Sequence, residues 1–254
     1  MSNTGTRTLA SWITASEELV VFTGAGISTE SGIPDFRSPG GIWDRFDAEI
    51  MTYDNFLSSE EGRRKYWEFH RDSWTMFNKA EPNRAHLALT RLEEHAKLTA
   101  IITQNIDGLH QRSGICPEKV LELHGTMWEV GCLDCGEIHP WEQVLSRIED
   151  GDEVPLCHSC EGLLKPGTVA FGEPLPEDVF ARAYEAASSC DLFLAIGTSL
   201  TVYPAAILPE IAANTDARLA IINRDPTPLD SRADLTIHGM AGAVLSGTLE
   251  HIES

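Results

Sequence analysis

Four of the six cysteines fall into two C-x2-C pairs, Cys132 with Cys135 and Cys157 with Cys160, separated by residues 136–156. Thiolates at this spacing suit tetrahedral zinc, because each short turn presents two sulfurs at about 2.3 Å from one ion. Four sulfurs complete the coordination and leave no open position, so the expected metal is structural. A thioredoxin-like redox pair is the alternative, although one pair would suffice for it. His139 and His158 stand nearby in sequence but are surplus to the tetrad, and Cys116 and Cys190 read as ordinary buried or half-buried thiols.

A second set of residues suits phosphate and ribose chemistry. "VFTGAGISTESGIPDFRS" (21–38) places Gly24, Ala25 and Gly26 after an apolar run, where backbone N–H groups can approach a pyrophosphate at the start of a following helix. A tight strand-to-helix turn without a ligand would use the same glycines. Thr29 stands where a G-x-G-x-x-G fingerprint has its third glycine, which serves close helix–strand packing, so a different helix angle is expected. "TQNIDGLH" (103–110) follows another apolar run and sets Gln104, Asn105 and Asp107 at its carboxyl end; a polar Asx turn is the plain alternative. "ELHGT" (122–126) adds His124 after "KVLEL"; a structural histidine is the plain alternative, but one beside a second polar loop at the same sheet edge is a candidate acid–base group.

The elements that must hold these residues are legible as short apolar runs: "LVVF" (19–22), "LTAII" (98–102), "DLFLAI" (191–196), "RLAII" (218–222) and "ADLTI" (233–237). Helical patterns lie at 6–17, 83–95, 140–149, 177–188 and 204–213. Such alternation predicts an α/β fold, a Rossmann-type parallel sheet covered by helices on both faces. Two stretches break the alternation. Residues 40–81 are aromatic-rich and read as helical, and 128–165 carry the cysteine pairs. They are expected to form a smaller discontinuous lobe, a helical module plus a zinc ribbon, beside a nucleotide-binding lobe of 1–39, 82–127 and 166–254. A cleft between two such lobes is a common ligand site.

Composition narrows the setting. Asp and Glu number 39 against 19 Lys and Arg, a formal net charge of -20, so direct nucleic-acid binding is not expected. No apolar run approaches the roughly 20 residues that span a bilayer, and "MSNTGTRTLA" lacks the features of a signal peptide, so a cytoplasmic location without membrane attachment is expected. Lysine occurs only at 65, 79, 97, 119 and 165. An acidic, lysine-poor surface suits a salt-rich cytosol, where about 1 M salt screens charge within about 3 Å; a halophilic archaeal host is the expectation, with an acidic mesophilic protein as the alternative.

In order along the chain, "GAGIS", "GIPDFRS", "TQNIDGLH", "ELHG", the paired C-x2-C motifs, "FGE" (171–173) and "GTSLTVYP" (197–204) resemble the sirtuins, NAD-dependent protein deacylases, over essentially the whole sequence. The resemblance implies that NAD is consumed, its nicotinamide–ribose bond broken, and that zinc fills the ribbon. Gly24, Ala25 and Gly26 would cradle the diphosphate with Thr29 beside them. Asp35, Phe36 and Arg37 would lie on a loop that closes over the cofactor, which a rigid helix start would hinder. Gln104 and Asn105 would hold the nicotinamide ribose, with Asn105 taking part in catalysis, and Asp107 with Ile106 would bind the carboxamide. Gly197, Thr198 and Ser199 would contact phosphate and ribose, and Asn223 and Arg224 the adenosine side. Acyl-lysine would enter a tunnel lined by Phe36, Val169, Phe171 and Val202, its backbone adding as a strand between Gly172–Glu173 and 201–203, which includes Val202 and Tyr203. His124 would act as general base on the ribose hydroxyls.

The implied partners are acetylated protein lysines, on basic chromatin or metabolic proteins, giving free lysine, nicotinamide and O-acetyl-ADP-ribose. Family members that prefer succinyl or malonyl groups pair a Tyr with an Arg three residues on; here Tyr66 is followed by Phe69, with Arg71 two further along, which favours acetyl-lysine. Longer-chain deacylation and mono-ADP-ribosyl transfer are the alternatives within enzymes, and a non-catalytic zinc-ribbon binding module is the alternative outside them.

Overall fold

The computed structural model of the protein describes residues 3–36, 38–42 and 48–254. Six parallel strands form the main sheet: β1 (Leu19–Thr23), β2 (Leu98–Thr103), β3 (Val120–Glu122), β7 (Leu192–Ile196), β8 (Arg218–Asn223) and β9 (Leu235–His238), in the order β3-β2-β1-β7-β8-β9. β1 and β7 are buried throughout, as continuous apolar runs covered on both faces must be. One apolar layer joins β1, β2 and β7 to the helices α1 (Asn3–Ala15), α4 (Arg84–His95) and α9 (Ala241–Ile252). The other joins Val20, Phe22 and Phe193 to α7 (Glu177–Ser189) and α8 (Ile207–Ala212). The expected α/β architecture is therefore present. Strand order reverses between β1 and β7, the switch point where open α/β sheets bind ligands outside their carboxyl ends.

A second, three-stranded antiparallel sheet has the order β5-β4-β6, from β4 (Gly125–Cys132), β5 (Ile138–Pro140) and β6 (Leu164–Thr168). Against it pack α6 (Trp141–Glu149) and α3 (Glu60–Lys79), which follows the short α2 (Tyr53–Ser58). Their contact is aromatic: Trp67 stacks on Trp141 at 5.9 Å, and Trp74 lies 5.6 Å from Trp141 and 5.0 Å edge-on from Trp128. Ser59 caps α3 by accepting the Gly62 N–H, and Asn83 caps α4 in a capping box with His86, directly after Pro82.

Candidate active site and metal centre

The carboxyl ends of β1, β2 and β7 carry three loops that meet through backbone packing. Gly26 N–H donates to the Gly197 carbonyl at 2.8 Å, and Gly24 N–H to the Ile196 carbonyl at 3.2 Å. A Cβ on Gly26 would lie 2.7 Å from the Gly197 oxygen. One on Gly197, whose φ is +60°, would lie 2.4 Å from the Ile27 nitrogen. These glycines are required first for the approach of the two loops. The expectation of a helix N-terminus behind Gly24–Gly26 is corrected. Two single 3-10 turns follow, Ala25–Ile27 and Thr29–Ser31. Gly32 in the left-handed conformation ends the second, and Pro34 disfavours helical backbone at Ile33. Thr29 turns its hydroxyl back to the Gly26 carbonyl.

Ser28, which sequence reasoning passed over although it is the hydroxyl of "GAGIS", organises the polar residues. Its Oγ donates to Asp107 Oδ2 at 2.7 Å and accepts from Asn105 Nδ2 at 3.1 Å. Asn105 Nδ2 also reaches the Gly24 carbonyl at 3.2 Å. Asp107 receives the Leu109 N–H on Oδ1, and burial raises its pKa while the bonds from Ser28 and Leu109 oppose the rise. Gln104 Nε2 donates to Thr198 Oγ1 at 3.0 Å, tying the β2 loop to the β7 loop.

His124 follows β3, and its Nδ1 lies 2.9 Å from the Gln104 carbonyl. A carbonyl can only accept, so Nδ1 carries the proton and Nε2 of the neutral ring keeps its lone pair. Burial lowers the ring's pKa, which favours that neutral form. The His124 carbonyl in turn accepts the Val169 N–H at 2.8 Å.

One cleft of about 410 Å³ takes in the described expected residues from both sides: Asp35 and Phe36, 104–107, His124, 169–173, 197–199, 202–203 and 223–224. Arg37 lies outside the described residues. Asp35 accepts Ser38's N–H and hydroxyl, and Ser38 Oγ accepts from Arg224 Nη2 at 3.0 Å, so the loop after β1 reaches the loop after β8. Asn223 Nδ2 bonds the Asp225 carbonyl. The lining adds Phe69, which the sequence reading weighed only as standing where an arginine is missing, and His70 and Thr168, which it left unassigned. His70 Nδ1 donates to the Tyr66 carbonyl and Nε2 accepts from Thr168 Oγ1, both at 2.9 Å. Burial holds His70 neutral, with its pKa lowered to about 3.

The four ribbon cysteines come together, all sulfurs within 4.8 Å of one another. Cys132 Sγ lies 3.5 Å from Cys160 Sγ, and Cys135 Sγ 3.8 Å from Cys157 Sγ. Two Zn–S bonds of about 2.3 Å at a tetrahedral angle separate their sulfurs by about 3.8 Å, whereas a disulfide requires about 2.05 Å, so the set fits zinc. Both pairs sit in tight turns, closed by Gly136 N–H to the Cys132 carbonyl and Glu161 N–H to the Cys157 carbonyl. Glu137, His139 and Cys157 form a second grouping that shares Cys157 with the tetrad. Cys190 is buried, but Cys116 is exposed, contrary to the sequence reading: it opens the turn at Pro117, where its thiol meets the Glu118 carboxylate at 2.6 Å.

The chain matches the Sir2 family over residues 24–204. It is 45% identical to the NAD-dependent protein deacetylase of Thermodesulfovibrio yellowstonii over 92% of this chain and 90% of that protein. It is 44% identical to the NAD-dependent protein deacylase 2 of Archaeoglobus fulgidus over 97% and 96%. A solved structure of Sir2 with a p53 peptide and NAD+ superposes with a TM-score of 0.87 at 37% identity, covering 96% of each chain.

Proposed function

The chain belongs to the Sir2 family and is an NAD-dependent protein lysine deacetylase, and we propose that it performs this reaction with His124, on the loop after β3 and bonded to the β2 loop, as general base. NAD supplies the ribose that loses nicotinamide and receives the acyl group. Gly24, Ala25, Gly26 and Thr29 border its diphosphate, and Gly197, Thr198 and Ser199 face it from β7. Gln104 and Asn105 orient the nicotinamide ribose, Asp107 and Ile106 hold the carboxamide, and Asn223 and Arg224 take the adenosine side, with Asp35 and Phe36 on the covering loop. The observation that carries the reading is the Nδ1–H bond of His124 to the Gln104 carbonyl, which leaves Nε2 as the basic nitrogen of a cleft residue.

Acetyl-lysine is the proposed substrate, entering between Phe36, Val169, Phe171 and Val202, with its backbone against Gly172–Glu173 and Val202–Tyr203. A succinyl carboxylate would meet Phe69 and an internally hydrogen-bonded Tyr66–His70–Thr168 group, beside which the Lys165 ammonium is already paired with Glu173. Mass spectrometry of an acetylated peptide incubated with NAD tests the reading. Equal amounts of deacetylated peptide, nicotinamide and O-acetyl-ADP-ribose are expected, whereas peptide that gains ADP-ribose would overturn it in favour of ADP-ribosyl transfer.

We propose further that the chain works as one catalytic domain, its nucleotide lobe being 1–39, 82–127 and 166–254 and its small lobe 40–81 with 128–165. The net charge of -20 supports a salt-rich cytoplasm as its setting, and basic proteins, of chromatin or metabolism, as its substrates. Among the described residues no helix is long and apolar enough to cross a membrane.

A further inference from the structure

Of five lysines, four are exposed or half-buried and one, Lys165 on β6, is buried. Its side chain is 5% exposed, and its ammonium donates to the Thr168 carbonyl at 2.5 Å and the Pro166 carbonyl at 3.2 Å. It pairs with Glu173 Oε2 at 2.9 Å. A buried lysine in a lysine-poor chain needs a reason, because desolvating an ammonium is costly unless it is fully partnered.

The partner supplies the reason. The same Glu173 oxygen accepts the Ala170 N–H at 2.7 Å, while Glu173 N–H returns to the Ala170 carbonyl at 3.1 Å. Beyond that turn bond to the Glu173 N–H, the main chain of 169–171 is tethered at each residue: Val169 to His124, Phe171 to Met51 and Tyr53, and Ala170 to the Glu173 carboxylate. The first two are backbone pairs. The third is a side chain bent inward, and only Lys165 neutralises it among the ion pairs of Glu173 found in the described residues. Between them Gly172 takes φ +81°, a turn that leaves Phe171 half exposed at the mouth of the cleft.

We infer that the Lys165–Glu173 ion pair sets the shape of the peptide-binding segment 169–173, so that Lys165 is a positioning residue for acyl-lysine binding and not for NAD. Glu173 serves this role through an inward carboxylate and leaves its backbone carbonyl to meet the peptide. The inference rests on the peptide strand lying against Gly172–Glu173. Removing the cation leaves a half-desolvated carboxylate that turns to water, and Ala170 N–H loses its acceptor.

Steady-state kinetics of four variants test it. Lys165→Met is expected to raise the peptide KM about tenfold or more, with the NAD KM and kcat within about threefold of the parent; Lys165→Arg keeps the cation and is expected to keep the peptide KM. The double change Lys165→Met with Glu173→Leu replaces the ion pair by apolar groups, so Tm is expected to recover while the peptide KM stays high. Peptide and NAD KM rising together, or peptide KM recovering along with Tm, would overturn the inference by showing a fold role alone. Val202→Arg, which obstructs the opposite side of the groove, checks the strand placement. If it raises the peptide KM and Lys165→Met does not, the inference fails alone; if neither does, the placement and the inference fail together.

Discussion

The parallel sheet and the cysteine-bearing sheet are held in contrasting ways. The first has an apolar layer on each face, and its central strands β1 and β7 are buried along their whole length. The second has a tryptophan-rich core at one end and four thiols at the other, and its edge strand β5 is three residues with an exposed Ile138. Stability in the large lobe is spread over many contacts, each of which can be weakened singly. In the ribbon it is concentrated where four like groups must share one ion, because bare thiolates at 3.5–3.8 Å repel. The cleft lies where the two meet, so its chemistry depends on both.

The sharpest way to break this contrast is to remove the metal. Cys157→Ser is expected to abolish zinc binding, unfold the ribbon and end deacetylation, since binding worth about 10 kcal/mol or more is coupled to folding at such sites. Far-UV circular dichroism should retain the helical signal of the large lobe. Active, folded protein without zinc by elemental analysis would refute the assignment.

His124→Ala probes the opposite case, a change of chemistry without a change of fold. Deacetylation is expected to fall by about 10² to 10⁴, with zinc content and Tm preserved. Nicotinamide exchange should survive better if His124 is the proposed base, because that base would act after nicotinamide leaves. Near-parental deacetylation would reduce His124 to a structural role. Since burial lowers its pKa, the acid limb of kcat should lie below pH 6.5.

A pH titration of stability samples both lobes. Burial lowers the pKa of His70 in the small lobe to about 3, and of His86 and His110 in the large lobe to about 4 and about 3. Below about pH 6.5 the unfolded chain binds protons at these three sites that the folded chain refuses, so stability is full above that pH and falls as pH drops toward 4. Glu122, raised to about 7 chiefly by its burial, acts the other way and offsets about one proton. The net slope should be on the order of 2–3 kcal/mol per pH unit, read from denaturant melts; stability that is flat from pH 7 to 5 would contradict it.

The smallest expected effect is that of salt. Tm should rise by a few degrees between about 0.1 and 2 M KCl as the excess of acidic groups is screened. A falling profile would argue for an ordinary mesophilic setting.

Much of this was readable before any coordinates. Strands buried on both faces must be written as unbroken apolar runs, so β1, β2, β7 and β8 are legible with ends within two residues, and the half-buried edge strand β9 is legible from a run broken by polar residues. The C-x2-C spacing determines which sulfurs share an ion. Most of what escaped depended on contacts distant in sequence. The missing α-helix after Gly26 follows from Gly32 and Pro34, local signals that the phosphate-loop reading overrode, whereas the inward turn of Glu173 depends on Lys165 eight residues earlier. Neither has a periodic signature. The linking role of Ser28 emerges only when β1 and β2 lie side by side. Cys116 shows that residue type alone does not determine exposure.

The Gly26–Gly197 contact also constrains how this sequence can vary. Each position lacks room for even one methyl group because the other's main chain occupies it, so no substitution at one can be compensated by trimming a side chain at the other. In a library randomised at both sites and selected for activity, the two should emerge as glycine together, behaving as one locus although 171 residues apart.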